Sequence, residues 1–297
     1  MTKKILLLLS FFTLSVVQAQ NDTIAPSAVV ADTVSPWKAF GNATLLFNQS
    51  TFSNWQAGGE NNIAGNVGLN YDVNYKKEDW TWDNKFIASY GIVKTRNSAF
   101  AKKTDDRLEI NSILGKQASR YWYYSAFMNF KTQFTKGYEY YKDDMGAEQR
   151  EEYTSFMSPG YLYAGPGMMW KRNENLRVNF SPLTSKFTFV DKAFTLPNEE
   201  YFGVKEGESM RYELGFNASA YYKLDVIANV TFENILNLYS NYLEETQNVD
   251  IDYQLNIVMK INRYITTNLS FQTIYDDNAF RGFQVRQVFG VGANYGF

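Results

Sequence analysis

The chain contains no cysteine and no histidine among its 297 residues. Without cysteine it has no disulfide bonds and no thiol to carry the lipid anchor of a lipoprotein. Without histidine it lacks the most common general base and metal ligand, and the base of Ser-His and Cys-His nucleophile pairs. We therefore expect that the protein is not an enzyme, and the sequence offers no candidate catalytic, cofactor-binding or metal-binding residues.

Long hydrophobic runs are also missing, except at the start of the chain. A membrane-spanning helix needs about 18 or more apolar residues, whereas the mean hydropathy here is −0.38. The exception is the run from Ile5 to Val17, which follows Lys3 and Lys4 and ends shortly before Ala19. This pattern predicts a signal peptide at residues 1–19 rather than a membrane span. Residues 20–36 contain two prolines and have no periodic pattern, which predicts a disordered periplasmic leader.

Positive charge is not in excess either. Removal of the signal peptide takes away two lysines and leaves 27 basic against 31 acidic residues. A nucleic-acid-binding protein carries a basic patch and a high isoelectric point. We therefore expect no nucleic-acid partner.

From residue 37 onward the chain alternates between apolar and polar side chains. In residues 62–75, one set comprises Ile, Gly, Val, Leu and Tyr, and the other comprises mainly Asn, with Ala, Gly and Asp. Successive side chains of a strand point to opposite faces, so this is a strand pattern with one apolar face. Residues 211–222 and 250–261 repeat it, and no helical period competes.

The alternation predicts twelve strands joined by tight turns and longer loops in strict succession. The segments are 38–48, 62–76, 80–94, 106–118, 121–135, 157–170, 175–190, 210–223, 225–240, 249–261, 264–276 and 284–297. The tight turns include Lys76–Asp79 and Lys223-Leu224, and the long loops include Lys136–Phe156 and Asp191–Ser209. An even strand number with short turns at one end and long loops at the other is typical of an outer-membrane barrel. The sequence thus predicts an all-β, twelve-stranded antiparallel transmembrane β-barrel over residues 37–297, with short periplasmic turns and long extracellular loops.

Aromatic residues cluster beside the predicted short turns, where rings suit the depth of the lipid headgroups. They are Trp80, Trp82, Tyr121, Trp122, Tyr123, Tyr124, Trp170, Tyr221, Tyr222 and Tyr264. The last strand places Tyr295 and Phe297 on an apolar face opposite Gly290, Gly292 and Gly296. This pattern resembles the C-terminal signal by which outer-membrane barrels are recognised for assembly. We therefore expect Tyr295 and Phe297 to act as an assembly signal for the barrel assembly machinery.

A set of short motifs in the first third of the chain points to one family. They run from Phe47-Asn48-Gln49-Ser50 through Asn54-Trp55 and Gly58-Gly59 to Trp82-Asp83-Asn84 and Tyr90-Gly91. With these motifs the chain resembles an uncharacterised Bacteroidota outer-membrane barrel family, a domain of unknown function. The resemblance implies a barrel in the bacterial cell outer membrane, in contact with its lipid and lipopolysaccharide. It implies no activity.

Projecting the polar face of the strands inward gives twelve candidate lumen-lining residues. Six are acidic and six are basic: Asp72, Asp83, Lys85, Arg107, Glu109, Lys131, Arg177, Arg211, Glu213, Glu233, Asp252 and Arg286. In one interpretation they form the constriction of a narrow porin-like channel for small polar solutes. In the other they pair with one another and fill the interior, since small barrels are filled by side chains and only barrels of 16–18 strands leave a wide pore.

The predicted loops suggest two further features. Trp55, Gly58 and Gly59 are loop-binding candidates, because an exposed aromatic residue can anchor a protein partner, although the loop can also fold inward against the barrel. The acidic loops Lys136–Glu152 and Asp191–Ser209 match no defined calcium-binding spacing, and we expect them to be solvated. The alternative to a channel is therefore a non-conducting structural or accessory barrel that binds a protein partner in the outer membrane.

Overall fold

In a computed structural model, residues 35–51, 60–196, 200–262 and 264–297 are described, and they form fourteen strands. The described part of the chain contains no helix with the length and hydropathy of a membrane span. The strands are β1 (Trp37–Ser50), β2 (Asn62–Lys77), β3 (Trp80–Thr95), β4 (Lys102–Gln117), β5 (Trp122–Thr132), β6 (Gly137–Lys142), β7 (Glu148–Thr154), β8 (Gly160–Asn173), β9 (Leu176–Phe189), β10 (Met210–Ile227), β11 (Val230–Asn241), β12 (Val249–Lys260), β13 (Ile265–Asp276) and β14 (Phe280–Gly296).

Twelve of the strands close into a single antiparallel barrel, in the order β1-β14-β13-β12-β11-β10-β9-β8-β5-β4-β3-β2. The closing seam pairs Asn42–Phe47 of β1 with Gly296–Val291 of β14. Beyond it, Gly41 and Phe297 exchange two backbone hydrogen bonds of 2.9 and 3.0 Å. A closed sheet leaves no strand edge unpaired, which is the condition for a sheet to cross a hydrocarbon layer. The prediction of a twelve-stranded antiparallel barrel is confirmed.

The remaining two strands, β6 and β7, form a separate hairpin between β5 and β8. The alternation pattern predicts a loop over Lys136–Phe156 here, so the prediction missed an element. Tyr138, Tyr140 and Tyr141 in β6 have no clear apolar alternation, and β7 begins Glu-Gln-Arg-Glu-Glu. The hairpin lies at the long-loop end, where its side chains contact other loops, such as Tyr140 with Phe100 and Tyr153 with Tyr201, so its strands lack the period that marks the barrel strands.

One predicted turn is wrong. The sequence analysis places a tight turn at Lys223-Leu224, but β10 continues to Ile227 and pairs with β11 across Ala228 and Asn229. As a result Tyr221 is not beside a turn. It faces the lumen, where its hydroxyl donates to Glu233 at 2.9 Å, while Tyr222 is 41% exposed on the outer face. Adjacent strand residues face opposite ways, so only one of the two can belong to an outer aromatic girdle.

The two faces of the sheet differ as the alternation predicts. Large apolar side chains are exposed on the outside, among them Leu45 and Phe47, both at 57%, and Phe289 at 60%. The inside buries charge instead, with Glu109 at 0% and Lys186 at 1% exposure. This arrangement is the reverse of a water-soluble barrel, which buries its apolar face.

Candidate functional site

The functional features of the barrel lie in its lumen, where charged side chains form three clusters. The short turns define one end of the barrel, and the long loops define the other. We call the clusters lower (Asp72, Asp83, Lys85, Lys171, Arg177, Glu233), middle (Arg107, Glu109, Lys131, Asp252, Gln254) and upper (Lys186, Arg211, Glu213, Asp250, Asp276), where the lower cluster is nearest the short turns.

The lower cluster joins opposite walls of the barrel. Lys85 on β3 contacts Glu233 on β11 at 2.8 Å and Asp72 at 3.4 Å. β3 and β11 lie six strands apart in either direction around the twelve-stranded ring. Nearer the short turns, the Lys171 ammonium donates to Asp83 at 2.7 Å, and Arg177 contacts the same carboxylate at 3.7 Å.

The middle cluster makes a second diametric connection. The Arg107 guanidinium on β4 pairs with Glu109 and also donates to Gln254 on β12 at 2.6 Å. β4 and β12 are again six strands apart. Lys131 on β5 pairs with Asp252 on β12, and Asp252 also accepts a hydrogen bond of 2.9 Å from Gln272. Side chains from opposite walls therefore meet at the centre of the lumen.

The upper cluster is organised around the buried ammonium of Lys186. It lies 2.8 Å from Asp250, 3.3 Å from Glu213 and 3.6 Å from Asp276. Three carboxylates around one ammonium give an excess of negative charge, which the Arg211 guanidinium, 3.5 Å from Glu213, partly offsets.

The structure places all twelve predicted lumen residues in ion pairs inside the barrel. Besides the pairs above, Arg286 on β14 contacts Asp105 on β4 at 2.5 Å. The prediction missed five ion-pair partners in the lumen: Asp105, Lys171, Lys186, Asp250 and Asp276. It assigned Asp105 to a loop and Lys171 to a turn, whereas both lie in strands. Lys186 lies inside a predicted strand, but an irregularity in β9 between Ser181 and Thr184 reverses the phase of the alternation, so strict alternation from Arg177 places Lys186 on the outer face.

Cavities lie between the clusters in the described part of the chain. Two in the half nearest the long loops have volumes of 290 and 400 Å³ and share Lys131, Tyr161 and Asp252 in their walls. The 60 Å³ cavity is bounded by residues of the lower cluster, and a 100 Å³ cavity lies against β1 and β2. Phe127, Asn129 and Asn237 line both the 290 Å³ and the 60 Å³ cavities. These side chains separate the upper from the lower space.

Two predicted loop features can be compared with the structure: the loop-binding residues and the acidic residues at the loop end. Trp55, Gly58 and Gly59 lie outside the described residues. At the extracellular rim, Asp250, Asp276 and Asp277 bring one carboxylate oxygen each within 4.8 Å of one another. Lys186 contacts two of these carboxylates, and Asn248 donates to Asp277 at 2.8 Å. Since protein donors already serve each carboxylate, the group does not require a cation.

Comparison with known proteins gives one family and several structures. Residues 47–138, less than a third of the chain, match a family described as "Protein of unknown function (DUF3078)". No curated protein is significantly similar to the chain in sequence.

Among solved structures, the translocator domain of the autotransporter NalP from Neisseria meningitidis is 10% identical, with a TM-score of 0.41 over 89% of this chain and 90% of that one. An outer membrane channel from Pseudomonas putida F1 is 8% identical, with a TM-score of 0.38 over 91% and 98%. The outer membrane channel DcaP of Acinetobacter baumannii is 9% identical, with a TM-score of 0.30 over 88% and 97%. All three TM-scores are below 0.5, and the comparisons assign the chain no solute or activity.

Proposed function

We propose that the protein is an integral barrel of the bacterial outer membrane whose lumen is closed to steady flow, and that it acts through its extracellular end as an accessory barrel rather than as an enzyme. Two observations support membrane insertion. The sheet has no free edge, which a lipid-embedded sheet requires. Its outer face exposes large apolar side chains such as Leu45, Val67 and Phe289, as transmembrane strands do.

The route to the membrane belongs to the same proposal. Residues 1–19 act as the export signal, and Tyr295 and Phe297 act as the signal for the barrel assembly machinery. The outer face then contacts lipid and lipopolysaccharide. Phe297 also contributes to closure, because it bonds to Gly41 and its ring lies 5.7 Å from that of Tyr71.

The single observation that supports the closed lumen is that charged side chains contact polar partners on the diametrically opposite strand. Lys85 reaches Glu233, and Arg107 reaches Gln254, each across the full width of the ring. An ion that passes must displace these partners and lose part of its hydration in a space lined by paired charges. Steady conduction is therefore unfavourable.

A second candidate function is a narrow channel for small polar solutes. The cavities of 290 and 400 Å³ above the middle cluster favour it, because they leave only short barriers of side chains to be crossed. Lysine and arginine side chains have several rotatable bonds, so these barriers are movable in principle. A channel of this kind would open only in brief events.

Planar-bilayer recording of the refolded full-length barrel in potassium chloride separates the two functions. We expect a silent wild type and steady openings in the triple variant Lys85→Ser, Arg107→Ser, Lys131→Ser, since these changes remove the cross-lumen side chains. The matched control changes three exposed lysines, Lys76→Ser, Lys77→Ser and Lys136→Ser, and stays silent. Heat-modifiable migration on gels confirms that each variant is folded.

Two results would contradict the closed lumen. Steady openings of the wild type would replace it with the channel. Silence of a folded triple variant would mean that the paired charges are not what closes the barrel. Recovery of the wild-type barrel alone after mild detergent extraction and pull-down would count against a stable protein partner.

A further inference from the structure

Two lysines and an aromatic ring form a row on the outer face of the barrel at its short-turn end. Lys77 of β2 lies opposite Trp80 of β3, and Trp80 lies opposite Lys116 of β4. Residues directly opposite each other in a sheet point to the same side, and all three side chains are exposed. Thr81, which points the other way, is only 3% exposed. The row therefore faces away from the lumen, and we call it the Lys-Trp-Lys row.

The row borders the apolar part of the outer face. Two positions farther from the turns on the same strands, Tyr75, Trp82 and Leu114 also lie opposite one another. Trp37 packs against Tyr75 and Trp82, with ring centroids 5.0 and 5.8 Å apart. Tryptophan and tyrosine rings prefer the boundary between hydrocarbon and headgroups. A step of two strand residues spans about 7 Å, so the row lies at the depth of the headgroups when this apolar face is in lipid.

The two ammonium groups of the row have no carboxylate partner. In the described part of the chain, neither Lys77 nor Lys116 has a carboxylate oxygen within 4.0 Å of its Nζ atom. The Lys116 Nζ atom lies 5.5 Å from the centre of the Trp80 ring, a cation–π contact that keeps its charge on the outer face. Since neighbouring strands are about 4.8 Å apart, the two lysine backbones are about 10 Å apart. Their long, flexible side chains can therefore reach one anion between them.

The turns around the row add positive charge. Residues 76–80 and 116–121 contain four basic and two acidic side chains: Lys76, Lys77, Lys116, Arg120, Glu78 and Asp79. At the opposite end of the barrel, residues 136–152 contain three basic and six acidic side chains. The two ends therefore differ in the sign of their charge, and the short-turn end attracts anions.

We propose that the Lys-Trp-Lys row binds the phosphate of a phospholipid with net negative charge, whose acyl chains lie against Trp82 and Leu114. Ammonium groups form charge-assisted hydrogen bonds with phosphate oxygens, and basic side chains at a membrane surface attract anionic lipids. A zwitterionic lipid brings an ammonium group of its own, which the positive turns disfavour. The proposal rests on membrane insertion, as in the proposed function, and not on closure of the lumen.

Native mass spectrometry of the refolded full-length barrel in a neutral detergent tests the site. The barrel is titrated with dioleoyl phosphatidylglycerol or with dioleoyl phosphatidylcholine, which share their acyl chains and differ in headgroup charge. We expect the first phosphatidylglycerol to bind more tightly than the first phosphatidylcholine. The double variant Lys77→Gln, Lys116→Gln should bind phosphatidylglycerol roughly tenfold more weakly, because each lysine near a lipid surface contributes several-fold, and should bind phosphatidylcholine like the wild type.

Two control variants separate charge from other effects of substitution. The double variant Lys77→Arg, Lys116→Arg keeps both charges and should bind phosphatidylglycerol like the wild type. The double variant Lys142→Gln, Lys205→Gln removes the same charge from exposed positions at the long-loop end and should also bind like the wild type. Heat-modifiable migration on gels shows that each variant is folded. Lys116→Gln alone decides the question if the glutamine double variant of the row does not fold.

Three results would overturn the proposal. The first is equal binding of the two lipids to the wild type, and the second is unchanged phosphatidylglycerol binding in the folded glutamine variant of the row. The third is release of phosphatidylglycerol by inorganic phosphate but not by chloride at equal ionic strength, which would show a site for free phosphate rather than for a lipid. A conducting wild type, in contrast, would overturn the closed lumen and leave this proposal standing.

Discussion

At the scale of the residue, the most consequential side chain is Lys186. Its ammonium is 1% exposed and lies within 4 Å of Glu213, Asp250 and Asp276. Removing one partner of a buried ion pair leaves charge without compensation and costs about 3–5 kcal/mol. We expect Lys186→Met to lower the free energy of unfolding by about this amount, measured by urea titration of the refolded barrel.

The control for this substitution is Lys136→Met in the loop before the hairpin. Lys136 also pairs with a carboxylate, Glu152, at 2.6 Å, but its side chain is 59% exposed. Exposed pairs contribute little because water and salt screen them, so this variant should unfold like the wild type. Equal loss of stability in both variants would mean that Lys186 is not the centre of a buried network.

The sequence predicts which face of the barrel a side chain occupies, but not which residue it contacts across the lumen. Alternation within a strand identifies which side chains share a face, so the acids and bases of residues 210–223 or 250–261 can be assigned to one side from sequence. It does not identify partners across the lumen, because Lys85 and Glu233 are 148 residues apart. Such a pairing depends on strand number and tilt, which a single strand does not encode.

At the scale of the element, the hairpin β6–β7 contacts the β3–β4 loop through one carboxylate and through the Phe100 ring, which meets Tyr140 and Arg150. Glu148 pairs with Lys102 at 2.6 Å, and it accepts hydrogen bonds of 2.8 Å from the Ser98 hydroxyl and 2.7 Å from the Ala99 amide. The pKa of Glu148 is lowered from 4.5 to about 2. The hydrogen bond from Lys102 contributes most to this shift, and the hydrogen bond from Ser98 contributes next. The hairpin lies outside the membrane-spanning strands, so this carboxylate titrates in water.

The lowered pKa predicts an acid-dependent release of the hairpin. A carboxylate with a folded-state pKa below its free value contributes stability that is present above pH 4.5 and lost as the pH falls through about 2. Since the chain has no cysteine, Met145→Cys at 94% exposure gives a single site for a spin label. We expect the label to stay ordered through pH 4.5 and to become mobile only near about pH 2.

The matched variants are Glu148→Gln and Glu152→Gln, each in the Met145→Cys background. Glu148→Gln removes the charge that Lys102 contacts, so its label should already be mobile at neutral pH. Glu152→Gln changes an acid of the same strand whose pair is more exposed, and it should behave like the parent. A label that loosens near pH 4.5 in the parent would show that Glu148 does not hold the hairpin.

The surroundings of each element determine whether the sequence predicts it. The twelve barrel strands were predictable because each has an apolar outer face and a polar lumen face, which imposes a period of two on the sequence. The hairpin contacts other loops and has no uniform apolar face. The turn after β10 has no glycine or proline to mark it, since residues 224–230 read Leu-Asp-Val-Ile-Ala-Asn-Val. Apolar residues that continue past the membrane boundary therefore hid the true end of the strand.

At the scale of the whole molecule, every proposal depends on the sheet having lipid outside and polar groups inside. Leu69 and Asn70 on β2 test this with two neighbouring positions. Leu69 is 40% exposed on the outer face, and Asn70 lines the 100 Å³ cavity inside. Arginine on the lipid face of a barrel costs about 2–4 kcal/mol near the midplane. We therefore expect Leu69→Arg to lose about that much unfolding free energy in phospholipid vesicles.

Asn70→Arg is the internal comparison, since the same side chain at the next residue enters a polar space whose walls include Asp105. Its loss of stability should be smaller than that of Leu69→Arg, because the new guanidinium has a carboxylate and amides within the cavity wall and no contact with lipid. The difference between the two variants should also shrink in detergent micelles, whose thin and deformable apolar layer lets an outward arginine reach water. Equal losses in vesicles, or a larger loss for Asn70→Arg, would place lipid on the wrong face and remove the basis of the membrane assignment.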